Sequence, residues 1–282
     1  MSVVEDFDVE GAFEFAKKLA VENGEIVKVA FHKPKNVDTK SNPTDLVTET
    51  DRLVEKNIFA AIRQKYPNHK LIGEESFTGP MSLTLTNEPT WVIDPIDGTS
   101  NFVTGFPYVA VVIGLLLNKE PVFGVVFNPI LGELFSARKG HGSFLNGNQI
   151  FVKKTTELNE SVVLSGFTSG RNYENLAKVR GNLEAILMNP AIGIRMLGST
   201  ACAMTIVAAG RGDAYFGANF HIWDIAAPTI IITEAGGVVG DLAGEELNLM
   251  KRQIISTCTP ELMRKIADKI TPINPEADGS VE

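Results

Sequence analysis

Apolar residues at Val9, Ala12, Phe13, Ala16, Leu19 and Ala20 recur every three or four positions, and the pattern resumes at Ile26, Val27 and Ala30. That spacing is one face of an α-helix. It predicts a single long amphipathic helix, despite the cost of Gly24 inside it. A polar stretch punctuated by Pro34 and Pro43 reads as a loop over 33–45. A second helix is predicted from near Leu46 to Tyr66-Pro67, with Val47, Val54, Ile58, Ala61 and Ile62 as its apolar stripe. Asp51 stands four residues after Val47 and three before Val54, so it lies on that inward stripe. A carboxylate on a buried face needs a partner; a structural hydrogen bond and a functional role both supply one.

Short apolar strands follow. Segments 70–73 and 90–94 read as strands, and 109–117, 122–128 and 133–137 read as strands joined by short turns, an antiparallel stretch. The second half alternates: helices over 174–188, 199–209, 225–235 and 260–270, strands over 194–197, 214–216 and 254–257. The acidic, proline-containing tail over 271–282 reads as frayed and flexible. The pattern predicts a layered α/β (α+β) fold with mixed sheets rather than a simple doubly wound one. Residues 1–282 read as one unit, with subdomains at 1–150 and 151–270.

Composition narrows the class. A chain of 282 residues, 44% apolar, buries an ample core. A formal net charge of −8 argues against nucleic acid and anionic membrane as partners and leaves a small molecule. Cys202 and Cys258 are too few for a disulfide framework or a zinc cluster, which fits a reducing cytoplasm. The acidic N-terminus lacks a signal pattern, and the longest apolar runs are too short to span a bilayer.

Three segments place carboxylates at the ends of regular elements: Gly73-Glu74-Glu75-Ser76, Asp94-Pro95-Ile96-Asp97-Gly98-Thr99 and Trp223-Asp224. Pro95 bends the chain out of its strand, and the turn can aim Asp94 and Asp97 at one point with the Ile96 carbonyl between them. Hard cations such as Mg2+ take such oxygens, and the N–H groups of Gly98 and Thr99 suit phosphate oxygens. Singly, each segment has a plain alternative: an ordinary Pro/Asp/Gly turn, or a helix N-cap at Asp224. Ser199-Thr200 likewise reads as a cap, Cys202 as core, and His221 as a structural or supporting histidine beside Trp223-Asp224.

Together the three segments, with Thr233-Glu234-Ala235-Gly236-Gly237-Val238, resemble the motif set of the lithium-sensitive, magnesium-dependent phosphatases. Stretches 40–51, 72–76, 91–107 and 123–142 look most like the animal-type inositol monophosphatases. The resemblance implies an αβαβα sandwich and hydrolysis of inositol monophosphates to inositol and phosphate by metal-activated water. It implies one Mg2+ on Glu74, Asp94 and the Ile96 carbonyl, a second on Asp94, Asp97 and Asp224, and a third, looser ion near Glu74. Li+ would inhibit at the second position. Thr99 and Asp51 would position the water, making Thr99, Asp51 and Glu74 the catalytic set. Lys40, Gly98 and Thr99 would face phosphate; Asp97, Ser169, Thr200 and Asp224 would face the polyol. Family members are commonly homodimers. The sequence departs from the family at Gly217, where animal enzymes carry a glutamate that accepts a bond from an inositol hydroxyl.

Rival readings weigh less. A phosphatase with an aspartate nucleophile resembles Asp-x-Asp, whereas two residues separate Asp94 from Asp97. A fructose bisphosphatase, a bisphosphate nucleotidase or a broader sugar and polyol phosphatase shares the superfamily. A metal-binding regulatory protein would not need the full set of ligands.

Overall fold

The computed structural model describes residues 7–39, 46–79, 82–167 and 173–281. Its elements run α1 (Val9–Phe31), β1 (Val37–Thr39), β2 (Leu46–Thr48), α2 (Glu49–Lys65), β3 (Lys70–Gly73), β4 (Leu83–Leu85), β5 (Thr90–Asp97) and α3 (Thr99–Thr104). Then come β6 (Ala110–Leu117), β7 (Glu120–Asn128), β8 (Glu133–Arg138), β9 (Ser143–Leu145), β10 (Asn148–Ile150) and β11 (Val162–Phe167). The remainder is α4 (Tyr173–Met188), β12 (Gly193–Arg195), α5 (Thr200–Ala208), β13 (Ala214–Ala218), α6 (Ile222–Glu234), β14 (Val238–Gly240), β15 (Gln253–Thr257), α7 (Pro260–Ala267) and β16 (Gly279–Val281).

A seven-stranded sheet has the order β10-β9-β8-β7-β6-β5-β3, antiparallel except for the β3–β5 pair. A five-stranded mixed sheet has the order β12-β11-β13-β15-β14. Strands β5 and β6 are buried from end to end, because both faces are covered. Alternate residues serve two cores: Trp91, Ile93, Val111, Ile113 and Leu115 join the core under α1 and α2. Val92, Ala110, Val112 and Leu116 join the core containing α5 and α6. On that second face a Cβ at Gly124 would sit 2.2 Å from the Ala227 carbonyl, so its absence lets α6 lie directly on the sheet. Helices α5 and α6 fill the space between the sheets, and α7 packs on the far side of the smaller one. The result is the expected αβαβα layering.

Three expectations need correction. The second helix begins at Glu49, not near Leu46, because Leu46 and Val47 pair with Thr39 and Asp38 in a hairpin. Strands β11 and β14 were not foreseen; Ser165-Gly166 interrupts the apolar pattern of β11, which nonetheless pairs on both edges. The tail is not frayed: Ile273 and Asp278 are buried, and β16 pairs in parallel with β4.

Candidate active site

The turn after β5 is built on a register shift. Asp94 faces Val112 and Asp97 faces Ala110, so the strand carries one extra residue between them. Residues three apart on a regular strand point to opposite faces; the bulge brings both carboxylates to one side. The Ile96 N–H donates to Asp94 Oδ1 at 3.0 Å and tightens the turn. Gly98 then adopts φ +91°, and a Cβ there would lie 2.8 Å from the Tyr108 carbonyl. Only glycine fits, and α3 starts directly after it.

Asp97 lies over the start of α5. Its carboxylate accepts bonds from Ser199 Oγ at 2.5 Å, the Ala201 N–H at 2.6 Å and the Thr200 N–H at 3.2 Å. Ser199 also caps α5 by accepting from the Cys202 N–H. Asp224 enters from the first turn of α6, where its Oδ2 accepts the His221 N–H at 2.7 Å. One oxygen each from Asp94, Asp97 and Asp224 falls within 4.8 Å of the others. Glu74, after β3, is hydrogen-bonded to Asp94 and stands beside this group rather than within it.

Burial pushes the Asp94 carboxyl well above the usual range, and the charges of Glu74, Asp97 and Asp224 add to it. Burial raises Asp97 to about 6 in spite of its three donors. Asp224 is raised by burial, then by Asp97 and Glu74. Such a cluster is costly unless protons or a cation intervene. Its ligand atoms are carboxylate oxygens, which suit a hard divalent ion such as Mg2+.

Beside it lies a dyad. Thr99 Oγ1 lies 3.2 Å from both Asp51 Oδ1 and the Ile96 carbonyl oxygen. Asp51 is fully buried. Its Oδ2 accepts the Thr48 N–H at 2.9 Å and also bonds the Thr48 hydroxyl.

The signature of the inositol monophosphatase family matches residues 8–274. This chain belongs to that family. It is 43% identical to human inositol monophosphatase 1 over 265 residues, 94% of this chain and 96% of the relative. Among solved structures it resembles the extragenic suppressor protein suhB of Bartonella henselae, with TM-score 0.82 and 29% identity over 92% of this chain and 98% of the other. It also resembles an IMPase of Thermotoga maritima, with TM-score 0.79 and 32% identity over 92% and 97%. Inositol monophosphatases are phosphoric monoester hydrolases, and the chain is such an enzyme.

Of the residues singled out in this family member's sequence, the fold brings together Asp51, Glu74, Asp94, Ile96, Asp97, Gly98, Thr99, Thr200 and Asp224. Lys40 and Ser169 lie outside the described residues. His221 supports from behind: its ring stacks on Trp223 with centroids 4.4 Å apart and its Nδ1 lies 2.7 Å from Asp278. Sequence reasoning missed Glu55, one turn after Asp51 on the same buried face, whose Oε2 accepts the Glu75 N–H at 2.8 Å and so fixes the Glu74 loop. Its signal was the i,i+4 spacing of two acids on an apolar stripe. Gly217 needs a correction. The resemblance places a glutamate at this position in animal enzymes, but here even a Cβ would lie 2.4 Å from both the Gly166 carbonyl and the Phe220 ring, so a glutamate could not enter without displacing them.

Proposed function

We propose that this enzyme hydrolyses inositol monophosphates to inositol and phosphate with Mg2+ held by Glu74, Asp94, the Ile96 carbonyl, Asp97 and Asp224. The observation that carries this reading is the convergence of Asp94, Asp97 and Asp224 within 4.8 Å beside the Asp51–Thr99 dyad. Bound Mg2+ supplies charge neutralisation for the phosphoryl group, acidification of a water and stabilisation of the leaving alkoxide. The chain does the positioning. Thr99 Oγ1 donates a hydrogen bond to Asp51 Oδ1, which leaves its lone pair to accept one from the attacking water. Asp51 cannot swing away, because Thr48 holds its other oxygen. As the water oxygen bonds to phosphorus and the phosphorus–alkoxide bond breaks, the water's proton passes by way of Thr99 to Asp51. The alkoxide takes a proton from a solvent water to become the free hydroxyl of inositol, and the hydroxide so formed takes the proton back from Asp51. Gly98 faces the phosphate, and the Thr200 backbone, Asp97 and Asp224 face the polyol; by resemblance to the family, Lys40 would join the first group and Ser169 the second.

Li+ inhibition, a homodimer and a cytoplasmic setting belong to the same reading; the buried free thiols Cys202 and Cys258 suit a reducing compartment. No helix among the described residues is long and apolar enough to cross a membrane.

Gly217 favours a second reading, a broader specificity for sugar and polyol phosphates. The charged acceptor it lacks is worth roughly 1.5–3 kcal/mol, or one to two powers of ten in discrimination. The test is phosphate release from inositol 1-phosphate, glycerol 2-phosphate, fructose bisphosphate and a bisphosphate nucleotide, with Mg2+ and LiCl titrated. Mg2+-dependent, lithium-sensitive turnover of inositol 1-phosphate is expected, with modest preference over glycerol 2-phosphate. Turnover without divalent ions would refute the metal assignment.

A further inference from the structure

We infer that the C-terminal tail is a clasp for the metal site, with Asp278 as a positioning residue for Asp224 and for the Glu74 loop; this rests on the ligand set proposed above. The family match ends at residue 274, yet Asp278 is fully buried. Its carboxylate takes the His221 ring Nδ1–H at 2.7 Å and the Ile222 N–H at 3.1 Å. Arg252 Nε stands 3.4 Å away, and Arg252 Nη2 lies 3.1 Å from His221 Nε2. An arginine only donates, so Nε2 is the acceptor and Nδ1 carries the proton that faces Asp278. Both donors to Asp278 come from the start of α6, two and three residues before Asp224, and the His221 N–H is the group that binds Asp224 Oδ2. Asp278 therefore fixes the peptide from which a ligand carboxylate hangs.

The tail also reaches the other side of the site. The Leu83 N–H donates to the Asp278 carbonyl at 3.3 Å, and β16 pairs with β4 from Gly279 to Val281. A Cβ at Gly279 would sit 1.8 Å from the Leu83 carbonyl, so the approach admits only glycine. Strand β4 follows the Glu74 loop in the chain, and Phe77 of that loop packs edge-on against His221 and Trp223. One segment thus joins the two walls that carry Glu74 and Asp224. Groups that orient a metal's ligands set its affinity without touching it.

The test uses full-length Asp278→Ala, Asp278→Asn and Gly279→Leu, with Asp224→Asn as control. Two quantities are read: the Mg2+ concentration giving half-maximal activity, and the Mg2+-induced rise in Tm, which does not depend on turnover. Asp278→Ala is expected to raise the half-activating Mg2+ about tenfold, the lower end of such supporting effects, with kcat at saturating Mg2+ nearly kept. Asp278→Asn, which retains one acceptor oxygen, should fall between Asp278→Ala and the unaltered protein. Gly279→Leu should reproduce the Mg2+ shift by displacing β16 alone, and it carries the test if Asp278→Ala does not fold. A lower Tm with unchanged Mg2+ response in the folded variants would overturn the clasp, provided Asp224→Asn loses Mg2+ binding. An unchanged response in Asp224→Asn as well would overturn the ligand set, and the clasp with it. Loss of the fold in all three tail variants would assign the tail to global stability and equally overturn its positioning role.

Discussion

Helices α2 and α6 begin in the same way and end in different chemistry. Each has an aspartate at its third position, Asp51 and Asp224, whose carboxylate turns back to accept the N–H of the capping residue, Thr48 or His221. That bond satisfies one of the donors a helix start leaves open. The second oxygen differs. Asp51 Oδ1 meets the hydroxyl of Thr99, a donor. Asp224 meets the carboxylates of Asp94 and Asp97. An acid ringed by donors is held oriented, fit to draw a proton through a hydroxyl; an acid facing other acids is held under repulsion, fit for a cation. The helix start sets the aim of the side chain, and the facing element decides its use.

The widest separation between the two sites comes from Asp224→Asn. The amide oxygen keeps the His221 N–H bond, so the helix start survives. A negative ligand is lost, and kcat/KM should fall by about three powers of ten or more, several kcal/mol of transition-state stabilisation. Removing one of several like charges should leave the Tm of the metal-free protein unchanged or higher, and the Mg2+-induced rise in Tm should vanish. A marked fall in metal-free Tm would mean that Asp224 is chiefly a cap.

Asp51→Asn should reverse the sign of the stability effect. Among the described residues, the Thr48 N–H, the Thr48 hydroxyl and the Thr99 hydroxyl all converge on Asp51. An amide has one oxygen, and the Thr48 N–H claims it. The amide NH2 then faces Thr99 Oγ1, whose lone pair it occupies while the Thr99 proton turns to the Ile96 carbonyl. Thr99 can no longer accept from water. Losing proton transfer of this kind costs about 10²–10⁴ in rate, so kcat should drop by about two powers of ten with Mg2+ affinity kept. Metal-free Tm should fall. Near-normal kcat in a folded variant would remove Asp51 from the reaction.

The contrast also governs pH. Asp97 is raised to about 6, and Asp94 and Asp224 are raised too. The metal-free folded state therefore binds protons that the unfolded chain, with carboxyls near 3.9, has released. The stability linked to those protons is fully present below the unfolded value; the part held by Asp97 is lost as pH rises through about 6, and the parts held by Asp94 and Asp224 as it rises through the raised ranges of those two groups. Tm without metal should fall between pH 5 and 7.5. The gain in Tm from Mg2+ should be larger at pH 7.5, because fewer protons compete for the ligands. Equal Mg2+ gains at both pH values would contradict a cation bound among these carboxyls.

What the sequence revealed follows the same division. The Asp94–Thr99 turn was legible because proline, glycine and two acids leave few alternatives, and Asp51 was legible from helical spacing. The layered fold was legible because whole strands such as 110–117 are apolar, which requires cover on both faces. The bulge between Asp94 and Asp97 was not, since an extra residue shows only against a partner strand. Neither was the room at Gly217, which depends on Gly166 and Phe220. The true start of α2 was hidden because Leu46 and Val47 continue the helical stripe while pairing as a strand. The tail was misread because its acidic composition suits a loose end, and only the fold supplies His221 and Arg252 to receive Asp278.

The smallest expected effect separates the cap from the chemistry within α2 itself. Thr48 is buried, its hydroxyl accepts the Thr50 N–H at 3.2 Å, and the same hydroxyl bonds Asp51 Oδ2. Thr48→Val keeps the shape and removes only the hydroxyl. The Thr50 N–H loses its capping acceptor, which costs about 1 kcal/mol. Asp51 Oδ2 keeps the Thr48 N–H, and Oδ1, the oxygen that reaches Thr99, is untouched. Tm should therefore fall by a few degrees while kcat changes only a few-fold, through looser aim of the carboxylate. Thr48→Ser retains the hydroxyl and should restore both quantities. A loss of kcat in Thr48→Val as deep as that of Asp51→Asn would place the Thr48 hydroxyl in the proton path. An unchanged Tm would mean that this cap contributes nothing to stability.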